Sequence, residues 1–151
     1  MKKTVAIVHY NTPEMTEACI HSIRKHGGQD YRIVVFDNSD KRPFPNMKGV
    51  EVFDNTKGQI FNFDQEIAKY PNKDTAVGEI NGYGSDKHMM SVQALWDLVP
   101  EGFMLLDSDV LIKESFDWMF MPHECCCGYV SKQTFHPRMM PMLLWINVPM
   151  C

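Results

Sequence analysis

The chain has 151 residues, the size of one ordinary domain with a real core. Of these, 44% are apolar and 23% charged, with a formal net charge of −4 at pH 7. This mild acidity implies no broad nucleic-acid surface. No apolar run reaches the roughly 18 residues that a membrane span needs.

The start, Met1-Lys2-Lys3-Thr4-Val5, runs straight into Val5-Ala6-Ile7-Val8, an apolar run that predicts a buried strand. It lacks the apolar stretch and cleavage site of a secretion signal. Thr12-Pro13-Glu14 then reads as a helix start, with a capping hydroxyl, proline at the first helical position and an early acid. Met15, Ala18, Cys19 and Ile23 follow at helical spacing until Gly27-Gly28. Tyr31 to Phe36 is a second strand, closed by Asp37-Asn38-Ser39-Asp40, and 41–49 is a loop with two prolines. Val50 to Phe53 is a third, less buried strand. Phe63, Ile67 and Tyr70 predict a short helix that stops at Pro71, and Pro71 to Gly84 has no clear period. Ser85 opens the clearest helix, striped by Val92, Leu95, Trp96 and Val99 and ended by Pro100. Phe103 to Leu106 is the next strand, and Cys125 to Val130 and Leu143 to Val148 are two more.

Strands alternating with helices predict an α/β domain around a mostly parallel sheet flanked by helices. Val5–Val8, Tyr31–Phe36 and Phe103–Leu106 are expected as parallel neighbours. Ligands in such sheets bind beyond the carboxyl ends of the strands. Three strands end in polar clusters: Tyr10-Asn11-Thr12, Asp37-Asn38-Ser39 and Asp107-Ser108-Asp109. Parallel strands place all three along one edge, although polar turns also end ordinary strands.

The third cluster carries the most chemistry. Two carboxylates one residue apart close a run buried on both faces, which is costly unless something offsets their charge. A divalent cation held by oxygen ligands, Mg²⁺ or Mn²⁺, does so. The competing reading is a turn rich in Asp and Ser.

The five cysteines sit at 19, 125, 126, 127 and 151. An odd count with three in a row is a poor disulfide framework and fits a reducing cytoplasm. His123, Cys125 and Cys127 share one face of a strand, but the paired spacing of structural zinc sites is missing. The trio is therefore expected reduced and free of metal.

Taken together, Val8-His9-Tyr10-Asn11-Thr12, Val34-Val35-Phe36-Asp37-Asn38-Ser39, Ser85-Asp86-Lys87-His88 with Ala94-Leu95, and Leu105-Leu106-Asp107-Ser108-Asp109 resemble the family 2-like glycosyltransferases. The resemblance covers most of residues 4 to 115. It implies a Rossmann-like GT-A domain that binds a nucleoside-diphosphate sugar and transfers the sugar to an acceptor. The acceptor class stays open among glycan, lipid and protein. By matched position, Tyr10 and Asn11 would cradle the nucleotide base and Asp37 the base or ribose. Asp107 would face ribose or metal, and Asp109 would bind the Mg²⁺ or Mn²⁺ that bridges the diphosphate. Lys87 and His88, near the expected helix start, are candidates for phosphate, or else mark an exposed helix start without a ligand.

The chain departs from the family in one respect. Its members generally run longer, and the later half supplies the acceptor pocket and an acidic general base. Here Leu143–Val148 reads as a strand cut short, so a truncated C-terminal acceptor half is expected. A missing segment is also where any peripheral membrane contact would lie. No residue maps onto the base; Asp117 and Glu124 are the acids considered for it, and neither sits in a recognisable motif. Two alternatives remain. One is a haloacid dehalogenase-type phosphatase with Asp107 as nucleophile and Asp109 as general acid; only 42 residues follow that motif, too few for the rest of such a domain. The other is a non-catalytic binding module on the same fold, with Trp118-Met119-Phe120-Met121 as a partner surface or as core.

Overall fold

The computed structural model describes residues 2–28, 30–68, 80–121, 123–124, 126–131 and 138–150. Side chains are described for all of these except 67, 80–86, 126–131, 138–143 and 150. The described strands are β1 (Thr4–His9), β2 (Arg32–Asp37), β3 (Val50–Asp54), β4 (Phe103–Asp107), β5 (Cys126–Ser131) and β6 (Arg138–Ile146). The helices are α1 (Pro13–His26), the short α2 (Phe63–Ile67) and α3 (Ile80–Leu98).

All six strands join one sheet in the order β3-β2-β1-β4-β6-β5. The first four are mutually parallel, and β6 runs antiparallel to both β4 and β5. The three strands expected as parallel neighbours are adjacent, with β1 between β2 and β4. Val5 pairs with Ile33 on one side and Met104 on the other.

Side chains alternate across each strand, and the alternation sorts the core into two layers. Val5, Ile7, Ile33, Val35, Met104 and Leu106 face one way and pack with Cys19, Ile20 and Ile23 of α1. Ala6, Val34, Phe36, Phe103 and Leu105 face the other way and pack with Leu95 and Val99 of α3. Burial on both faces explains why these strands read as unbroken apolar runs. The chain steps outward from β1 to β3, then returns to place β4 on the other side of β1. The carboxyl ends of β1 and β4 thus flank the point where strand order reverses.

Some boundaries differ from expectation. Helix α3 begins at Ile80, not Ser85. Strand β6 begins at Arg138 and ends at Ile146, earlier at both ends than Leu143–Val148. Its register against β5 shifts between Gly128, opposite Leu144, and Tyr129, opposite Met140. Pro141, which has no N–H to donate, falls in the skipped stretch. Tyr70, Pro71 and the rest of 69–79, along with Cys125 and Cys151, lie outside the described residues.

Candidate functional site

A cavity of about 380 Å³ opens at the carboxyl ends of β1 and β4. Val8, Tyr10 and Thr12 line it from β1 and the turn that follows, and Met15 from α1. Lys87 and His88 line it from α3, Asp107 to Asp109 from the end of β4, and Asn38 from the end of β2. Tyr10, Lys87, His88, Asp107 and Asp109, singled out from the sequence in three separate segments, therefore meet in one place.

Strand alternation explains how. Asp107 follows Phe103 and Leu105 on the α3-facing side of β4, so its carboxylate points toward that helix. His88 meets it there, with Nε2 3.9 Å from Asp107 Oδ1. This nitrogen is buried and has no hydrogen-bond partner among the described residues. Burial, with the Asp109 charge alongside, raises the Asp107 carboxyl above the usual range, and His88 opposes that shift. Asp109 is exposed, within a turn closed by Val110 N–H donating to Asp107 O at 3.2 Å. Beneath the pair, burial and the charges of Asp109 and Asp107 push the Cys19 thiol up to about 12, which leaves it protonated.

On the opposite wall, Lys87 Nζ sits 4.9 Å from the centre of the Tyr10 ring, a cation–π contact. Tyr10 is 44% exposed, which leaves part of the residue open to solvent. Burial and the charge of Asp40 raise the Tyr10 phenol, keeping it a neutral donor.

Asp37 and Asn11 are placed differently. Asp37 follows Ile33 and Val35 on the α1-facing side, away from the cavity. It is buried, and its two oxygens accept from Ser39 N at 3.0 Å and Phe44 N at 2.7 Å. Asn11 adopts a left-handed φ of 57°, which asparagine tolerates better than most residues. Its Oδ1 accepts from Lys41 N and Arg42 N, and its N–H donates to Ser39 Oγ. Both residues hold the 38–44 segment rather than line the cavity. Lys87 and His88 also differ from expectation. They sit about two turns inside α3, beyond the first turn over which a helix dipole acts.

The structure adds Asn38, Thr12, Met15 and Ser108 to the site. Asn38 is the residue whose alternation turns it to the cavity side. Its Nδ2 donates to Ser91 Oγ at 3.1 Å and its Oδ1 accepts from Asn55 Nδ2 at 2.9 Å. Ser91 Oγ donates in turn to Lys87 O at 2.8 Å. Asn55 Oδ1 takes the N–H groups of Ile60 and Phe61. This buried chain ties the loop after β3 to the turn of α3 that carries Lys87 and His88. A smaller hollow of about 170 Å³, lined partly by Asn55, Lys57 and Asn62, adjoins the cavity and shares Asn38 and Lys87 with it.

Asp117 and Glu124 lie away from the cavity. Asp117 sits toward the opposite end of the sheet, accepting from Tyr31 Oη at 2.9 Å and Lys3 Nζ at 3.2 Å. Glu124 is exposed and does not line the cavity. A larger cleft of about 830 Å³ also lies at that opposite end, lined in part by Lys2, Arg24, Asp30, Arg32 and Glu51. Its charges are largely paired among themselves, Lys2 with Asp30 and Arg32 with Glu51, so we place the chemistry in the smaller cavity.

Among the described residues, no group of three or more His, Cys, Asp or Glu is set to hold a metal ion. A cation that also binds phosphate does not require one. Mg²⁺ is commonly held by one or two carboxylates, with phosphate oxygens and waters completing its shell. Asp107 and Asp109 are two carboxylates of that kind. Comparison of the chain with protein-family models, with curated proteins and with solved structures returns no significant match.

Proposed function

We propose that the cavity binds a nucleoside-diphosphate sugar together with a divalent cation, Mg²⁺ or Mn²⁺, and that the chain is the donor-binding part of a glycosyltransferase. One observation carries the reading. Two carboxylates, a lysine, an exposed aromatic side chain and an imidazole nitrogen without a hydrogen-bond partner among the described residues converge at the carboxyl ends of β1 and β4. That is the crevice where doubly wound sheets bind their ligands. The order β3-β2-β1-β4, flanked by α1 and α3, supports a Rossmann-like frame.

Each group has a task in that reading. Asp107 and Asp109 hold the cation. When bound, it would neutralise charge on a departing nucleoside diphosphate. Lys87 presents a further positive charge to the phosphates from its seat on Tyr10. The Tyr10 ring offers stacking to a base, and Thr12 and Asn38 offer hydrogen bonds. Asp37 and Asn11 act indirectly, by fixing the 38–44 segment and so the position of Asn38. The acceptor and the general base are assigned to no residue of this chain.

Calorimetric titration of UDP and GDP into the protein, with and without Mn²⁺, tests the reading. Binding that requires the cation and is lost in Asp109→Ala supports it. Binding of neither nucleotide under any condition overturns it. Release of phosphate from a simple phosphomonoester, abolished by Asp107→Asn, would instead favour the phosphatase.

A further inference from the structure

We propose that the hollow of about 170 Å³ at the carboxyl ends of β2 and β3 is an oxyanion site that takes one phosphate group between Lys57 and Lys87, without a cation. Asp107 and Asp109 do not line it, so it stands whether or not a nucleotide sugar binds beside it.

The direction of the hydrogen bonds around it decides what it can hold. Ile60 and Phe61 N–H donate to Asn55 Oδ1 at 2.9 and 3.0 Å, which turns the Asn55 amide nitrogen toward Asn38. Asn55 Nδ2 donates to Asn38 Oδ1 at 2.9 Å, and Asn38 Nδ2 donates to Ser91 Oγ at 3.1 Å. Ser91 Oγ donates on to Lys87 O, which only accepts. Fixed backbone groups at both ends thus set the sense of the whole chain. Both amide oxygens are engaged within the protein. Each amide nitrogen carries two N–H groups and spends one, so what is left over is donors. Asn38 and Asn55 are each 4% exposed, and neither second N–H has an acceptor among the described residues. A buried donor in that state gains from an acceptor brought by a ligand.

Charge points the same way. Lys57, from the loop after β3, and Lys87, from α3, line the hollow, and neither has an ion-pair partner among the described residues. One acid, Asp64, lines it and is exposed. Two ammonium groups and spare amide N–H groups suit an acceptor-rich anion and repel a metal ion. The loop is held in place: Gly58 takes φ +72°, open to glycine, and its N–H donates to Asn55 O at 3.0 Å. Drug-sized ligands need roughly 300 Å³ or more, so a recess of about 170 Å³ suits one group of a ligand rather than a whole one. Because Lys87 also lines the larger cavity, that group can belong to a nucleotide lying there or to free phosphate.

Nuclear magnetic resonance spectra (¹H–¹⁵N) of the full chain, recorded in EDTA at constant ionic strength, test the site with inorganic phosphate as the probe. The side-chain amide signals of Asn38 and Asn55 and the backbone signal of Gly58 are expected to shift and saturate. Lys57→Gln should weaken phosphate binding about two- to fivefold, the scale of an exposed charge pair, and Lys57→Arg should not. Lys57→Gln combined with Lys87→Gln should weaken it about tenfold or more. Melting curves confirm that the variants fold, and the single variant decides if the double does not. UDP in EDTA that moves the same signals places a nucleotide phosphate in the hollow. UDP that leaves them unmoved, while phosphate moves them, assigns the site to free phosphate. Signals that stay still with phosphate, or drift without saturating, overturn the site, as does an affinity unchanged by Lys57→Gln. Failure here leaves the donor reading above standing, and failure of UDP and GDP to bind with Mn²⁺ leaves this site standing.

Discussion

Asp37 and Asp107 both close buried parallel strands, yet they do different work, and parity decides which. Asp37 shares its face with Ile33 and Val35 and ends as a buried acceptor for two backbone N–H groups. Asp107 shares its face with Phe103 and Leu105 and ends in the cavity beside His88. The raised carboxyl of Asp107 has a consequence for stability. Its folded pKa lies above the unfolded 3.8, so the native state binds the proton more readily. Stability is therefore gained as pH falls through the folded value toward 3.8, and the charge is a burden at neutral pH. Asp107→Asn is expected to melt no lower than wild type at pH 7 and to lose that acid-side gain. A lower melting point for the variant would assign the carboxylate a structural role.

His9 has the opposite sign. It is buried, and Nε2 lies 3.2 Å from Arg42 O. A carbonyl only accepts, so Nε2 carries the proton and Nδ1 accepts from Thr16 Oγ1 at 2.7 Å. Burial lowers its pKa below 6.5. The unfolded chain then takes up a proton first, and stability falls as pH drops from about 6.5 to the folded value. The slope reaches at most about 1.4 kcal/mol per pH unit. Urea unfolding between pH 7.5 and 5.5 should show this loss in the wild type and a flatter profile in His9→Gln.

At the scale of elements, the four parallel strands and α1 were legible because their signals are strong: apolar runs, a proline at the helix start and a regular stripe. Helix α3 was only half legible. Its first turns contain Asn81, Gly82 and Gly84, poor helix formers, so the sequence pattern begins only at Ser85 although the helix starts at Ile80. That misplaced start is why Lys87 and His88 looked like residues at a helix end. Strand β6 was hidden in the same way by Pro141 and a register shift that no local pattern reveals. The turn into β4 offers a sharper check. Gly102 has φ +89°, and a β-carbon there would stand 2.7 Å from Ile146 O on β6. Gly102→Ala should cost about 2 kcal/mol or more, since the left-handed conformation alone costs an alanine about 1–2. The melting point should drop by at least about 4–8 °C. An unchanged melting point would mean that β4 and β6 are not seated as described.

Across the whole molecule, the sheet and the gathering of polar strand ends at one edge were readable because parallel strands deliver their carboxyl ends to one side. The division of labour within the site was not. It depends on which face each strand-end residue takes, and so on where α3 lies. The Asn55–Asn38–Ser91 chain, built from residues far apart in sequence, has no sequence signature at all. The central claim is that Asp109 serves a cation and an anionic ligand rather than a turn. Melting curves of wild type and Asp109→Ala, each with and without Mn²⁺ and UDP or GDP, test it most directly. Without ligand the variant should melt at or slightly above wild type, because two crowded carboxylates become one. At about 100 times its dissociation constant, a bound nucleotide should stabilise the wild type by about 2.7 kcal/mol, a rise of about 5–10 °C. The variant should show no such rise. A variant that melts lower than wild type yet responds fully to Mn²⁺ and nucleotide would contradict the claim.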